Sequence, residues 1–225
     1  MCSSDLTPIS NVKKDGSVRV EDDSDGVIQI LKGNMGWHCD STYMAVQAKG
    51  AVFTAHVVPE EGGETGWADL RAGYDALSEE QKQRISGLAA YHSLYHSQNK
   101  AGFKPTEGGD YSGYGFHDQA PSLRPLVKVH PETQRPSLLI GRHAYGIPGL
   151  SEQASADLLE ELLAITCQPE RVYHHHWQAG DAVLWDNRCL LHRACPWDMR
   201  QPRVMYHARI AGDPASESAL SRLQG

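Results

Sequence analysis

A chain of 225 residues, 40% hydrophobic and 22% charged, can bury the core of one substantial domain and has the make-up of an ordinary globular protein. Its net charge of −7, with no Lys/Arg cluster, excludes a nucleic-acid-binding surface, and no run of about 18 apolar residues is present to span a membrane. The five cysteines (Cys2, Cys39, Cys167, Cys189 and Cys195) are odd in number and lack a CxxC spacing, which fits a reducing cytoplasm better than a disulfide framework.

Met1 to Leu6 has neither the basic nor the apolar region of a signal peptide. Cys2-Ser3-Ser4-Asp5-Leu6 is also what a common sequencing-library adapter spells when translated. Residues 1–26 are therefore expected to be an atypical N-terminal segment or an artefact, ahead of a single domain over 27–225. Within that segment, residues 7–26 read as loop around at most one short strand. Val27-Ile28-Gln29-Ile30-Leu31 reads as a strand, as does Ala51 to Val58, which Pro59 closes. Glu60 to Glu64 makes a turn, and Thr65 to Asp69 resumes extended structure. Helix is expected from Leu70 to Leu77 and again after Ser78-Glu79-Glu80-Gln81, a capping box. Residues 97–123, rich in Gly, Pro, Ser and Tyr, read as a long loop of the kind that forms lids. Pro125 to His130 and Ser137 to Gly141 flank hairpin turn chemistry. Ser151 to Cys167 carries the best amphipathic pattern, with Leu158, Leu159, Leu162, Leu163 and Ile165. Strands are expected at 171–177, 182–185, 190–195 and 204–210. Strands before and after helical inserts, without strand–helix alternation, predict a mainly β fold: an antiparallel sandwich or jelly roll with helices outside.

His38 and Asp40 stand two residues apart, so on an extended chain they share a face, with Cys39 turned away. A His-x-Asp pair alone is weak evidence for a metal. His192 is the candidate third ligand, because two His and one carboxylate leave positions open on an octahedral ion.

The flanking motifs point the same way. His38-Cys39-Asp40, Gly62-Gly63-Glu64-Thr65, Trp185-Asp186-Asn187-Arg188 before His192, Arg203-Val204-Met205 and Gly212-Asp213 occur in one order. Together they resemble the taurine dioxygenase / dichlorophenoxyacetate dioxygenase family of Fe(II)- and 2-oxoglutarate-dependent oxygenases, over about residues 27–213. The wording around His38 and His192 leans toward the dichlorophenoxyacetate side. The resemblance implies a cupin-like double-stranded β-helix in which His38, Asp40 and His192 hold Fe(II). It implies that Thr65 and Arg203 grip the far carboxylate of 2-oxoglutarate, with O2 as the other cosubstrate. Arg suits that task through charge-assisted, bidentate pairing. The implied reaction hydroxylates a C–H bond of a small organic acid, an aryloxyacetate being the reference case, while 2-oxoglutarate becomes succinate and CO2.

Two departures from the family stand out. The 37 residues before His38 are fewer than the family usually has, so the chain reads as N-terminally truncated. The alternative reading is an inactive member, or a binding module that keeps the barrel; in either case a truncated barrel that exposes apolar edge strands is expected to associate as a homo-oligomer. A cupin-like isomerase or dioxygenase without cosubstrate would not need Arg203. Second, taurine-type members carry another Arg four residues beyond position 203, where this chain has His207; Arg209 shares that strand face. A sulfonate is therefore less expected than a carboxylate, and Asn34, His207 and His143 are the candidate substrate contacts. The remaining histidines read as structural: His174 and His176 share a face without a placed carboxylate, and His92 and His96 fall at i, i+4 on a possible helix. Asp186 and Arg188 read as an ion pair bracing the loop before His192.

Overall fold

The computed structural model describes residues 6–21, 23, 26–102 and 120–220. Two antiparallel sheets carry the architecture. One has the order β1 (Thr7–Ser10), β12 (Val204–Ile210), β2 (Gly50–Val57), β10 (Ala182–Asp186), and the other β11 (Leu190–Ala194), β3 (Thr65–Asp69), β9 (Val172–His175). Successive strands change sheet at each connection: β2 to β3, then β9 to β10, β11 and β12. This alternation is that of a double-stranded β-helix, and it turns the inner faces of β3, β11 and β12 toward one interior. Period-2 alternation supplies the filling, with Ala51, Phe53 and Ala55 of β2 buried together with Trp67, Trp185 and Met205. The expected strands at 51–58, 65–69 and across the last third are all present. Thr7–Ser10 pairs with β12, so the polar start of the chain supplies an edge strand.

A second apolar cluster lies behind β3 and β11. Ala68 and Leu191 pack with Leu126, Leu138 and the helical residues Leu158 and Leu162. The helix α5 (Glu152–Thr166) starts at Ser151, whose side chain accepts from Ala154 N, and it buries Leu158 and Leu162 one turn apart. It lies close to α2 (Leu70–Asp75) because Gly73 leaves room for Thr166; a Cβ there would collide with the threonine side chain. Ser78 and Gln81 form the anticipated capping box of α3 (Glu79–Ile85). The expected hairpin is β6 (Val127–Val129) with β7 (Pro136–Leu138), and a small sheet joins β5 (Ser122–Pro125), β4 (Ala89–His92) and β8 (Ala144–Tyr145). No helix among the described residues is long and apolar enough to cross a membrane.

Three expectations are corrected. Val27–Gly33 is the helix α1, not a strand: Ile28 and Leu31 are buried three apart while Val27, Gln29 and Ile30 are half-exposed. Its β-branched composition is overridden, and its backbone groups are satisfied within the segment, Ile30 N donating to the Gly26 carbonyl and Asn34 N to the Ile30 carbonyl. His92 and His96 do not share a helix, since His92 ends β4 and His96 lies in α4 (Leu94–Lys100). The helix α4 also claims Ser97 to Lys100 from the expected long loop, and β5 claims its end; residues 103–119 of that loop lie outside the described residues.

Candidate active site

His38 reaches the site from an isolated β-bridge, not from a full strand. Its N–H donates to the His192 carbonyl at 3.0 Å, and the His192 N–H donates back to the His38 carbonyl at 2.8 Å. Residues that face each other in an antiparallel pair project on the same side, so the two imidazoles meet with ring centroids 4.2 Å apart. The chain turns immediately after His38. Asp40 opens a turn in which Ser41 adopts φ 58°, and Cys39 points away into the second core cluster. Ligating atoms of His38, Asp40 and His192 all lie within 4.8 Å of one another. The His192 Nε2 to Asp40 Oδ1 distance is 3.8 Å.

The protonation states suit a cation. The ring nitrogen Nδ1 of His38 lies 2.7 Å from the Gly36 carbonyl, which can only accept, so Nδ1 carries the proton and Nε2 keeps its lone pair. Burial, followed by the neighbouring His192, holds His38 well below the ordinary imidazole range, and burial brings His192 down to about 4. Burial alone would raise Asp40, but His192, His207 and His38 prevail and keep its carboxyl well below the usual range. The result is two neutral imidazoles and a carboxylate whose Oδ2 is buried without a hydrogen bond. A divalent first-row ion with open coordination positions fits this set.

Asn187 sets Asp40 in place. Its Oδ1 accepts from Asp40 N at 2.8 Å, and its Nδ2 donates to the carbonyls of Asp40 (2.9 Å) and Ala48 (2.8 Å). The left-handed turn at Asp40-Ser41 is thereby tied to the connection between β10 and β11, the strand that carries His192. Sequence reading placed Asn187 in a motif without a role. The available signal was an amide side chain in the turn ahead of the His192 strand, and the structure buries it fully.

A second polar group shares the cavity. Arg203 is 2% exposed; its Nε donates to the Gly63 carbonyl at 3.2 Å, and its guanidinium lies over Trp197 and Phe53. Gly62 and Gly63 have φ of 76° and 72°, and a Cβ on Gly63 would press on Arg203 Nε at 3.2 Å, so this turn needs glycine. Arg203 Nη2 is buried without a partner, and burial lowers this guanidinium to about 10, still charged at neutral pH. Thr65, 3% exposed, lines the same cavity, and its Oγ1 accepts from Trp177 Nε1 at 3.0 Å. A buried guanidinium nitrogen without an acceptor, with the Thr65 hydroxyl in the same cavity, fits a carboxylate.

Asn34, His143 and His207 line this cavity too, with the exposed Arg209. His207 Nε2 stands 3.1 Å from Asp40 Oδ2 without a directed hydrogen bond, its ring parallel to Trp185. Ser97 Oγ donates to the Leu94 carbonyl and lies 2.8 Å from His143 Nδ1, so it accepts from that nitrogen and leaves His143 Nε2 an acceptor. Burial and the neighbouring His38 hold His143 well below the ordinary range, hence neutral.

The other polar clusters are structural. His130 Nδ1 accepts from the N–H groups of Glu132 and Thr133 while Nε2 meets Asp186 at 3.0 Å, so the His130, Asp186 and Cys189 group has no imidazole lone pair to spare. Asp186 and Arg188 form the expected ion pair at 2.7 Å. The triple-histidine run does have carboxylates beside it, contrary to expectation: His175 pairs with Asp181 at 2.9 Å and His176 with Glu64 at 3.3 Å.

Comparison with known proteins adds to this geometry. Residues 5–209 match the profile described as taurine catabolism dioxygenase TauD, TfdA family. A (S)-phenoxypropionate/alpha-ketoglutarate-dioxygenase of Sphingobium herbicidovorans is 63% identical over 218 residues, covering 96% of this chain and 76% of the relative. An enzyme of the same description from Delftia acidovorans is 55% identical over 96% of this chain and 74% of its own length. Among solved structures, AAD-2 in complex with Mn(II) and N-oxalylglycine superposes with a TM-score of 0.87 at 36% identity, over 99% of this chain and 77% of the other.

Proposed function

Given that this chain belongs to the taurine catabolism dioxygenase TauD, TfdA family, we propose that it is an Fe(II)- and 2-oxoglutarate-dependent dioxygenase that hydroxylates small aryloxyalkanoic acids. The observation that carries the site assignment is the convergence of His38, Asp40 and His192 within 4.8 Å, beside Arg203 Nη2, a buried donor without an acceptor. His38, Asp40 and His192 would hold the metal. Iron bound there supplies dioxygen activation, coupled to conversion of 2-oxoglutarate to succinate and CO2 and to insertion of one oxygen atom into a substrate C–H bond.

The protein's own groups bind, orient and exclude water. Arg203 and Thr65 take the far carboxylate of 2-oxoglutarate, a charge-assisted pair in a site closed by Trp197 and Phe53. The substrate lies in the remaining cavity against Asn34, His143 and His207. Neutral His143, with only an acceptor to offer, shapes the wall, while Arg209 supplies the cation for the substrate carboxylate. His207 stands against Asp40 and helps keep that carboxylate ionised. Hydroxylation of the carbon between ether oxygen and carboxylate gives a hemiketal or hemiacetal, which collapses to a phenol and an oxoacid.

The relatives' substrate puts (S)-2-phenoxypropionate first among candidates. The test supplies the protein with Fe(II), 2-oxoglutarate and O2, and measures succinate and phenol release with (S)- and (R)-2-phenoxypropionate and with taurine. Succinate and phenol in equal amounts, fastest with the (S) acid, are expected. Turnover of taurine with no response to either phenoxypropionate overturns the reading.

A further inference from the structure

We propose that Trp177 is a positioning residue that orients the Thr65 hydroxyl for 2-oxoglutarate. The inference rests on the assignment of Thr65 and Arg203 to the far carboxylate of that cosubstrate. An indole N–H can only donate, and the Trp177 Nε1 sits 3.0 Å from Thr65 Oγ1, so Thr65 is the acceptor of that bond. Its own hydrogen is thereby kept out of the direction facing Trp177. No other hydrogen bond of Thr65 Oγ1 occurs among the described residues, so its hydrogen is left for the cavity that Thr65 lines. A hydroxyl that already accepts is also polarised toward stronger donation.

Trp177 is itself fixed. Its ring meets Phe53 edge-on at 5.5 Å and His175 at 4.5 Å, and leans on Trp67 at 6.3 Å. Phe53 also lies under the Arg203 guanidinium, at 5.8 Å. One aromatic ring thus backs both the arginine and the tryptophan that aims the threonine. The pocket meets the carboxylate with its donors already oriented, and binding loses less hydroxyl freedom than with an unaimed threonine.

The experiment is a double-mutant cycle on the Mn(II)-loaded protein, with 2-oxoglutarate affinity read by calorimetry. Thr65→Val is expected to weaken binding about tenfold or more, and Trp177→Phe about threefold or more. The double variant should match Thr65→Val within about twofold, since Trp177 acts only through the hydroxyl. In turnover, Trp177→Phe should raise the KM for 2-oxoglutarate and leave kcat and Mn(II) affinity near wild type. If Trp177→Phe does not fold, β-(3-benzothienyl)alanine at position 177 keeps the ring shape and replaces the N–H by sulfur. Wild-type affinity in either single change at 177, or a loss that multiplies that of Thr65→Val, overturns the proposal. Wild-type affinity in Thr65→Val overturns the carboxylate assignment and this inference with it.

Discussion

His38 and His192 exchange both of their backbone hydrogen bonds, at 3.0 and 2.8 Å, across a separation of 154 residues (192 − 38). The pairing of main chains is what brings the two imidazoles to one point. The register between a short bridge and β11 therefore decides whether the metal site exists, since a slip of one residue would send one imidazole to the opposite face.

Replacing any of His38, Asp40 or His192 by Ala should weaken Mn(II) or Co(II) binding by at least about 100-fold, more than the loss typical of an outer-shell change. His175→Ala should leave metal affinity unchanged, because His175 is engaged with Asp181 and Tyr173. Calorimetric titration of the four variants checks this. Equal losses from His38→Ala and His175→Ala would rule out the assignment.

Arg203 and Arg209 should separate cleanly. Arg203→Met is expected to cost about 2 kcal/mol or more of 2-oxoglutarate affinity, the range for a hydrogen-bonded buried charge. The apo form of that variant should melt at or above the wild-type temperature, because wild-type Arg203 is buried without a carboxylate partner among the described residues. Arg209→Met should leave 2-oxoglutarate affinity intact and raise the KM for the aryloxyalkanoate. Similar effects of both variants on 2-oxoglutarate would sink the division of roles.

Asn187→Ala removes three hydrogen bonds and strands the Asp40 and Ala48 groups that they satisfied. A loss of about 2–4 kcal/mol in urea unfolding is expected. In the folded fraction, metal affinity should drop about 10- to 100-fold, the effect of releasing a ligand's support. Unchanged metal affinity would show that the Asp40 turn holds itself.

Asp186 offers a pH test away from the metal. Burial would raise its carboxyl, but hydrogen bonds from Arg188 and His130 bring it down to about 2. A carboxylate whose folded pKa is depressed contributes stability above its unfolded value near 4, and that contribution disappears as pH falls toward 2. Asp186→Asn should thus destabilise the protein at pH 7 by about 1 kcal/mol, discounted for partial exposure, with the gap to wild type closing between about pH 4 and 2. A gap that stays constant with pH would remove the ionic part of this account.

Periodicity and composition were sufficient for the strands of both sheets other than the edge strand β1, for α5 and for the Ser78 cap, because each depends on neighbours within a few positions. The motif residues were read as metal and oxoacid ligands through the family resemblance, and they line one cavity. Tertiary structure decided the rest. Val27–Gly33 is a helix that buries Ile28 and Leu31 on one face, an outcome absent from its own β-branched sequence. His92 and His96 part company where a strand ends and a cap at Ser93 begins a helix. The clamp of Asn187 on Asp40 and the bond from Trp177 to Thr65 join residues 147 and 112 positions apart. Such contacts have no local signature: which side chain meets which is settled only when alternate strands cross between the sheets and close the interior on itself.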